Sequence, residues 1–275
     1  MTEENTVPYE NIVYSKERKV ATIMLNRPDK LNAMNSALQR EFEEALTEFE
    51  KDSSLRVLVI RGAGRSFSAG FDIGGGSDQG ERAEPTVDGD RDGLQATAAR
   101  WLRLWECRKP IISMVHGYCL AGASEMVAMT DITYVAESAR IGFPSLPIGS
   151  GDIETYWYWF VGPKHTKEIA WLLGTQISGR KAYEWGFAND VFPDDKLEEE
   201  TYKNANLIAR LPLELLNLKK MSVNRIMEFQ GFRAAVMSGA EWDAIAHVTK
   251  PVKEMQQRMR EQGMQGAIKW FNEEA

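Results

Sequence analysis

A glycine and a carboxylate lie three residues apart in the stretch 109–125 (KPIISMVHGYCLAGASE), at a junction between a predicted strand and a predicted helix. The largely apolar run 111–115 gives way to small residues, and Gly122 stands where the helix would begin. Main-chain N–H groups at a helix start have no partner within the helix and can donate to an anionic oxygen. Because Glu125 follows one turn later, the stretch predicts oxyanion stabilisation with an acid or base beside it.

A second turn of this kind follows another predicted strand, at residues 61–72 (RGAGRSFSAGFD). Its small residues precede Phe71 and Asp72, so main-chain N–H groups could be exposed to an oxygen here too. Glycines also form ordinary tight turns. Taken alone, this segment leaves both a binding turn and a purely structural turn open.

The elements that must position these turns are strands and helices in alternation. Short β-branched and apolar runs predict buried strands at Val20–Leu25 and at residues 57–60, 111–115 and 132–135. Between the first two, apolar residues recur at helical spacing after an Asn-Ser N-cap signal, at Phe42, Ala45, Leu46 and Phe49. The alternation predicts α/β layers rather than an all-β barrel.

Two further regions differ in composition from this alternating part. Residues 74–93 are rich in Gly, Asp, Glu and Ser, which predicts a loop that could serve as a lid. Beyond Thr166 the pattern is mainly helical. We therefore expect a core with the site over residues 1–200 and a C-terminal helical region over 201–275 for packing and oligomerisation.

Composition restricts the possible functions. The 275 residues include 33 Lys and Arg against 40 Asp and Glu, a net charge of −7 without a basic tract, which disfavours nucleic acid as a partner. No apolar run is long enough for a membrane span, and the first residues lack the regions of a signal peptide. With only Cys107 and Cys119 as thiols, we expect a cytoplasmic protein without a metal site. His116 is interpreted as structural, and His165 and His247 as surface or interface residues.

Taken together, both turns and three further segments resemble the crotonase, or enoyl-CoA hydratase/isomerase, superfamily. The further matches follow in the order of that family over roughly residues 8 to 230, at 26–33 (NRPDKLNA), 131–139 (DITYVAESA) and 174–188 (GTQISGRKAYEWGFA). The resemblance implies a crotonase-like spiral of ββα turns with a C-terminal helical region, assembled as a homotrimer or homohexamer. It also implies an acyl-CoA thioester as substrate, with coenzyme A entering only as part of that substrate and no separate cofactor.

The same resemblance implies roles for individual residues. By motif position, the N–H groups of Phe71 and Gly122 would form the oxyanion hole that stabilises a thioester enolate. Glu125 matches the first catalytic glutamate of the hydratases. Their second glutamate, in the pattern Phe-Gly-x-Pro-Glu, is replaced here by Ser145. Some relatives have a working aspartate in the following loop, which makes Asp152 the second catalytic candidate and Glu154 a weaker one; Asp152 could equally be a helix N-cap.

Other positions are expected to contact the substrate. Of these, Lys30 could meet coenzyme A phosphates, or could be an ordinary solvated charge. The aromatic run 156–160 could wall an acyl pocket for a cyclic or aryl group, or could belong to the core or a subunit interface. The full set of expected substrate contacts is Lys30, Ala69, Asp72, Ile73, Ser145 and Trp157.

Three kinds of function stay open at this level. The favoured one is an enoyl-CoA hydratase or dehydratase that uses Glu125 and Asp152. An isomerase, or a hydrolase of a carbon–carbon or thioester bond, would use the same oxyanion hole, and one carboxylate suffices to move a proton between carbons. A non-catalytic member that binds acyl-CoA is the third.

Overall fold

The computed structural model describes residues 9–72, 86–143, 147–149, 151–172 and 174–274. Strands and helices alternate along the first two thirds of this part, and helices make up the remainder. The strands are β1 Ile12–Glu17, β2 Val20–Leu25, β3 Val57–Gly62, β4 Ile111–Val115, β5 Tyr118–Leu120, β6 Ile132–Ala136, β7 Arg140–Gly142, β8 Gln176–Ser178 and β9 Asp190–Phe192. The helices are α1 Ser36–Lys51, α2 Val87–Glu106, α3 Gly122–Ala128, α4 Asp152–Trp171, α5 Gly179–Trp185, α6 Leu197–Ile208, α7 Leu213–Phe229, α8 Phe232–His247 and α9 Lys250–Glu274.

In the described residues the strands form two sheets. The larger has the order β1-β2-β3-β4-β6-β9, in which only the β1–β2 pair is antiparallel. The smaller has the order β5-β7-β8. Strands β3 and β4 are buried along nearly their whole length, which explains their largely apolar sequences. The strands predicted at residues 20–25, 57–60, 111–115 and 132–135 are confirmed.

Helix α1 shows how local sequence determines an element here. The Asn35 side chain accepts a hydrogen bond from the Leu38 N–H at 2.8 Å and so caps the helix. The buried face then consists of the residues expected from their spacing, together with Leu38. Both the predicted cap and the predicted apolar face are confirmed.

The loop predicted over residues 74–93 is wrong in its last part. Helix α2 begins at Val87, and the Thr86 side chain accepts a hydrogen bond from the Gly89 N–H at 3.1 Å. Asp88 and Asp90 lie in the first turn, where carboxylates interact favourably with the helix dipole. The acidic composition that indicated a loop therefore stabilises a helix start. The first part of the segment where the lid was placed, residues 74–85, lies outside the described residues.

The helices beyond residue 196 pack on the alternating part. The boundary expected after residue 200 falls inside α6, whose buried residues begin at Leu197. Lys220 of α7 is buried and donates to the Asp131 carboxylate at 2.8 Å, which ties this helix to the start of β6. Helix α8, which the sequence analysis did not identify, packs against α2 and α4. Among the helices of the described chain, none is long and apolar enough to cross a membrane.

Candidate active site

The two glycine-containing turns lie side by side beyond the ends of β3 and β4. The Ser68 N–H donates to the Tyr118 carbonyl at 2.9 Å, and the Leu120 N–H donates back to the Ser68 carbonyl at 3.1 Å. A Cβ on Gly70 would lie 2.7 Å from the Leu120 oxygen and 3.4 Å from the Gly122 nitrogen. Glycine at position 70 therefore permits the close approach of the two turns.

Phe71 and Gly122 contribute the main-chain N–H groups of this junction. Within the described residues, neither N–H donates to a protein acceptor. Ala121, the residue before α3, has φ 48° and ψ −126°, a conformation that costs a non-glycine residue about 1–3 kcal/mol. Its own N–H is bound by the Gly142 carbonyl at 2.9 Å. The strained turn thus starts α3 abruptly and leaves Gly122 as the first N–H of the helix.

The Phe71 ring fixes the spacing of this junction. It stacks on Trp101 of α2, with 6.3 Å between ring centroids. A Cβ on Gly122 would lie only 2.3 Å from the Phe71 ring. The two residues expected to form the oxyanion hole are therefore in contact, and a side chain at position 122 would displace the ring.

Glu125 lies one turn inside α3 and is 2% exposed. One of its carboxylate oxygens accepts a hydrogen bond from the Trp101 indole N–H at 3.2 Å. Burial raises the pKa of Glu125 well above its ordinary value, and the charges of Asp152 and Asp243 raise it further, while the indole hydrogen bond opposes the shift. These influences favour the neutral, proton-donating form of this carboxyl relative to an exposed glutamate.

Asp152 is the first residue of α4 and is 7% exposed. Its Oδ1 atom is buried and accepts no hydrogen bond from the described residues. Burial, followed by the charges of Asp243 and Glu154, raises the pKa of Asp152 to about 7, and His247 acts in the opposite direction. A carboxyl with this pKa can both accept and release a proton near neutral pH.

Glu154 has a defined structural contact. Its carboxylate accepts a hydrogen bond from the Gly151 N–H at 3.0 Å and so closes the start of α4. Gly151, with φ 100°, is the N-cap residue, which means that the capping function considered for Asp152 belongs to its neighbours. Burial raises the pKa of Glu154 as well. Of the two carboxyls expected from this loop, Asp152 is the one without a hydrogen bond in the helix cap.

The expected substrate contacts lie in different environments. Lys30 is exposed on a short 3₁₀ turn, and the Ala69 N–H donates to the Leu31 carbonyl at 2.9 Å. Asp72 forms an ion pair with Arg27 at 2.9 Å. Trp157 is fully buried, stacks on Phe187 with 4.3 Å between ring centroids, and donates to the Ser124 hydroxyl at 3.0 Å. Ile73 and Ser145 lie outside the described residues.

Three residues near the site were missed by sequence reasoning: Trp101, Asp243 and His247. The His247 side chain, interpreted as a surface or interface residue, is 21% exposed and lies 2.6 Å from Asp90 of α2, so it is partly buried within this chain. Gly239, Asp243 and His247 lie on α8 at intervals of four residues. This spacing of four residues was the only signal in the sequence. It places the residues on one face of a helix, which indicates a shared role only once that helix is known to cover the site.

The site therefore combines two main-chain donors with two buried carboxyls, an arrangement suited to stabilising an enolate and moving protons beside it. The chain matches the family model described as "Enoyl-CoA hydratase/isomerase" over residues 15–264. It is 30% identical over 223 residues to the short-chain-enoyl-CoA hydratase of Clostridium acetobutylicum, covering 79% of this chain and 82% of that protein. It is also 30% identical over 223 residues to the 1,2-epoxyphenylacetyl-CoA isomerase of Escherichia coli, with 78% and 82% covered.

A solved structure shows the same fold. An enoyl-CoA hydratase/isomerase from Xanthobacter autotrophicus Py2 superposes with a TM-score of 0.88 at 34% identity, covering 96% of this chain and 97% of that one. The crotonase fold, α/β with a C-terminal helical region, is thereby confirmed. The chain belongs to the enoyl-CoA hydratase/isomerase family.

Proposed function

We propose that this protein is an enoyl-CoA hydratase. Such an enzyme adds water to the double bond of an acyl-CoA thioester or, in the reverse direction, removes water to form that double bond. The observation that supports this most directly is the pair Glu125 and Asp152. Both carboxyls are buried, both have a raised pKa, and the charge of Asp152 raises the pKa of Glu125. Nearby, the N–H groups of Phe71 and Gly122 have no acceptor among the described residues. Hydration needs one group that releases a proton and one that accepts it, and this pair supplies both.

In the proposed reaction the thioester oxygen accepts hydrogen bonds from the Phe71 and Gly122 N–H groups. Asp152, as the carboxylate, takes a proton from water while the water oxygen bonds to the β-carbon. The electron pair of the double bond moves onto the thioester as an enolate, and Glu125 then gives its proton to the α-carbon. Proton transfer from Asp152 back to Glu125, through solvent, restores the starting state. Coenzyme A stays attached throughout, and these steps need no separate cofactor.

An isomerase is the second candidate. The similarity to 1,2-epoxyphenylacetyl-CoA isomerase favours it, as does the replacement of the second hydratase glutamate by Ser145. A double-bond shift needs only removal of a proton from one carbon and its return to another, which Glu125 alone could perform above the same oxyanion hole. The two candidates differ in the mass of the product.

The test is to incubate the purified protein with linear, cyclic and aryl 2-enoyl-CoA esters and to analyse each product by chromatography with mass detection. A product heavier by one water, still attached to coenzyme A, is the expected result. An unchanged mass with altered retention supports the isomerase instead. If no ester in the panel changes, both candidates fail and a non-catalytic binding role takes their place.

Glu125→Gln should reduce turnover at least 10²-fold, as expected for loss of a general acid or base of this kind, while binding of the ester survives. The matched control is Glu137→Gln, which changes an exposed glutamate paired with Arg180 and should leave turnover unchanged. Steady-state rates together with calorimetric binding of the ester separate the two effects. Near-normal turnover of Glu125→Gln would contradict the assignment.

We also propose a homotrimer or homohexamer located in the cytoplasm. Large apolar side chains exposed along α7 support the self-association. The two buried free thiols, Cys107 and Cys119, are compatible with a reducing compartment.

A further inference from the structure

Three residues on one face of helix α8 lie over the candidate site. Gly239, Asp243 and His247 are spaced four apart and therefore lie along one face of the helix. A Cβ on Gly239 would lie 2.8 Å from the Asp152 Oδ1 atom. A Cβ on Gly149, in the loop that precedes α4, would lie 2.4 Å from the Asp243 Oδ1 atom. This face of α8 is thus packed directly on Asp152 and on its loop.

The imidazole of His247 lies between two carboxylates. Its Nδ1 atom is 2.6 Å from Asp90 Oδ2, and its Nε2 atom is 3.7 Å from Asp243 Oδ2. All three side chains are largely shielded from water, with exposures of 21% for His247, 24% for Asp90 and 14% for Asp243. An imidazolium has an N–H on each nitrogen and can direct one to each of these carboxylates. The imidazole therefore lies at the edge of an otherwise acidic group of side chains.

The titratable groups that act on Asp152 come from several elements. Burial is the largest influence on its pKa, and the charge of Asp243 follows; both favour the neutral carboxyl, as does the charge of Glu154. The charge of His247 favours the ionised form. Asp152 in turn raises the pKa values of Glu125 and Tyr156. The two α8 residues therefore have opposite electrostatic effects on one carboxyl.

We propose that one face of α8 supplies the positioning residues of this site: Gly239 packs on Asp152, and Asp243 and His247, the latter held by Asp90, set the charge around that carboxyl. The proposal deepens the proposed function and rests on it for its catalytic meaning, since Asp152 must be ionised to take a proton from water. The contacts of α8 with Asp152 do not depend on which ester is the substrate.

The test measures the ionisation of Asp152 without substrate. Urea unfolding of the wild type and of Asp152→Asn is measured from pH 5 to pH 9, and the difference in their stability changes with pH until Asp152 ionises in the folded protein and then levels off. The pH at which the slope of this difference has fallen to half, called the midpoint below, reports this ionisation. The same comparison is then repeated with two proteins that both carry His247→Gln, and again with two proteins that both carry Asp243→Asn. We expect the midpoint to move up by about half to one pH unit with His247→Gln and down by a similar amount with Asp243→Asn. Asp90→Asn should move it up by less.

A purely structural role of α8 would not move the midpoint in opposite directions when two residues on the same helix face are replaced. Midpoints that stay in place, or that move in the same direction with both variants, would overturn the proposal. His247→Lys keeps a positive charge and should hold the midpoint near that of the wild type; an upward shift equal to that of His247→Gln would show that charge is not the cause. If His247→Gln does not fold, His247→Lys and Asp243→Asn still decide the outcome.

The matched control is His165→Gln, because His165 is an exposed histidine on α4 that pairs with Glu168 at 3.4 Å, and it should leave the midpoint unchanged. Turnover of the ester panel is a separate readout. If the midpoints shift as expected while no ester reacts, the proposed function fails and the electrostatic role of α8 stands.

Discussion

The Asp152 carboxyl, a candidate for proton transfer, lowers the stability of the folded protein. The carboxyl is buried, and its Oδ1 atom accepts no hydrogen bond from the described residues, although pairing is the usual way to stabilise a buried charge. Its ionised form is consequently unfavourable in the folded protein and favourable in the unfolded chain. The site therefore destabilises the fold at the pH where ionised Asp152 would act as a base.

Asp152→Asn should stabilise the protein in a pH-dependent way. The folded pKa of about 7 lies above the ordinary value of 3.8, so below pH 3.8 both states hold the proton and the carboxyl has no cost. Between these values only the unfolded chain loses its proton, so stability falls as pH rises and then levels off above 7. The gain from the substitution should be on the order of 2 kcal/mol greater at pH 8 than at pH 5.

Urea unfolding at these two pH values measures this difference. Asp195→Asn, at an exposed carboxylate, serves as the control and should show no such dependence. An equal effect of Asp152→Asn at both pH values would mean that the carboxyl is not the source of the cost.

At the scale of elements, the packing of α8 on α4 depends on a glycine. A Cβ on Gly239 would meet Asp152 Oδ1 at 2.8 Å, Thr155 Oγ1 at 2.8 Å and the Asp152 Cα at 3.0 Å. The last contact involves backbone, which cannot move aside without shifting the start of α4. The absence of a side chain at Gly239 therefore sets the distance between α8 and α4, and with it the position of Asp152.

Two glycine-to-alanine substitutions should therefore have opposite effects. Alanine favours a helix over glycine by about 1 kcal/mol, so Gly93→Ala in α2, where a Cβ meets nothing within 4 Å, should stabilise the protein by about 0.5–1 kcal/mol. Gly239→Ala should destabilise it by about 1–3 kcal/mol, because overpacking outweighs the same helix preference. Thermal and urea unfolding of both variants give the comparison. Stabilisation by Gly239→Ala would show that α8 can move away from α4 without cost.

The sequence predicted the elements whose residues satisfy local rules. The cap at Asn35 and the apolar spacing of α1 are such cases, and so is the strand-to-helix junction that ends in Gly122. Helix α8 was missed because it packs against two other helices and its buried residues are mostly small, which leaves little amphipathic contrast. The loop expected over residues 87–93 was wrong because the same acidic residues are also favourable in a first helical turn.

The candidate site was predictable to a similar extent. Glu125 and Asp152 could be named from motifs close to them in sequence. The contact of Trp101 with Glu125, and that of His247 with Asp90, join residues that only the packing of α2 brings into place. No spacing along the chain encodes such pairs, because they depend on how whole helices are arranged.

At the scale of the whole molecule, apolar side chains are concentrated on the outer surface of α7. Leu218 is 63% exposed, Val223 58%, Ile226 59% and Phe229 81%. Exposed apolar side chains of this kind are common where chains associate. We propose that α7 forms part of the contact in the proposed homotrimer or homohexamer.

Leu218→Glu combined with Phe229→Glu should dissociate the assembly, because two carboxylates would have to be buried in an apolar contact. Light scattering after size-exclusion chromatography should give a mass of three or six chains for the wild type and a lower mass for the double variant. Tyr183→Glu, at an exposed aromatic side chain on α5, is the control and should keep the wild-type mass. A monomeric wild type would contradict the assembly altogether.

The proposed oxyanion donors at Phe71 and Gly122 are main-chain groups, whereas the carboxyls proposed to transfer protons are side chains on separate helices, α3 and α4. Most substitutions leave an N–H in place, so the ability to stabilise an enolate survives most single mutations. The acids and bases can be exchanged one at a time. Enzyme engineers could therefore redirect this scaffold towards a new reaction by replacing Asp152 or its α8 neighbours while retaining the intermediate, and natural divergence could follow the same route.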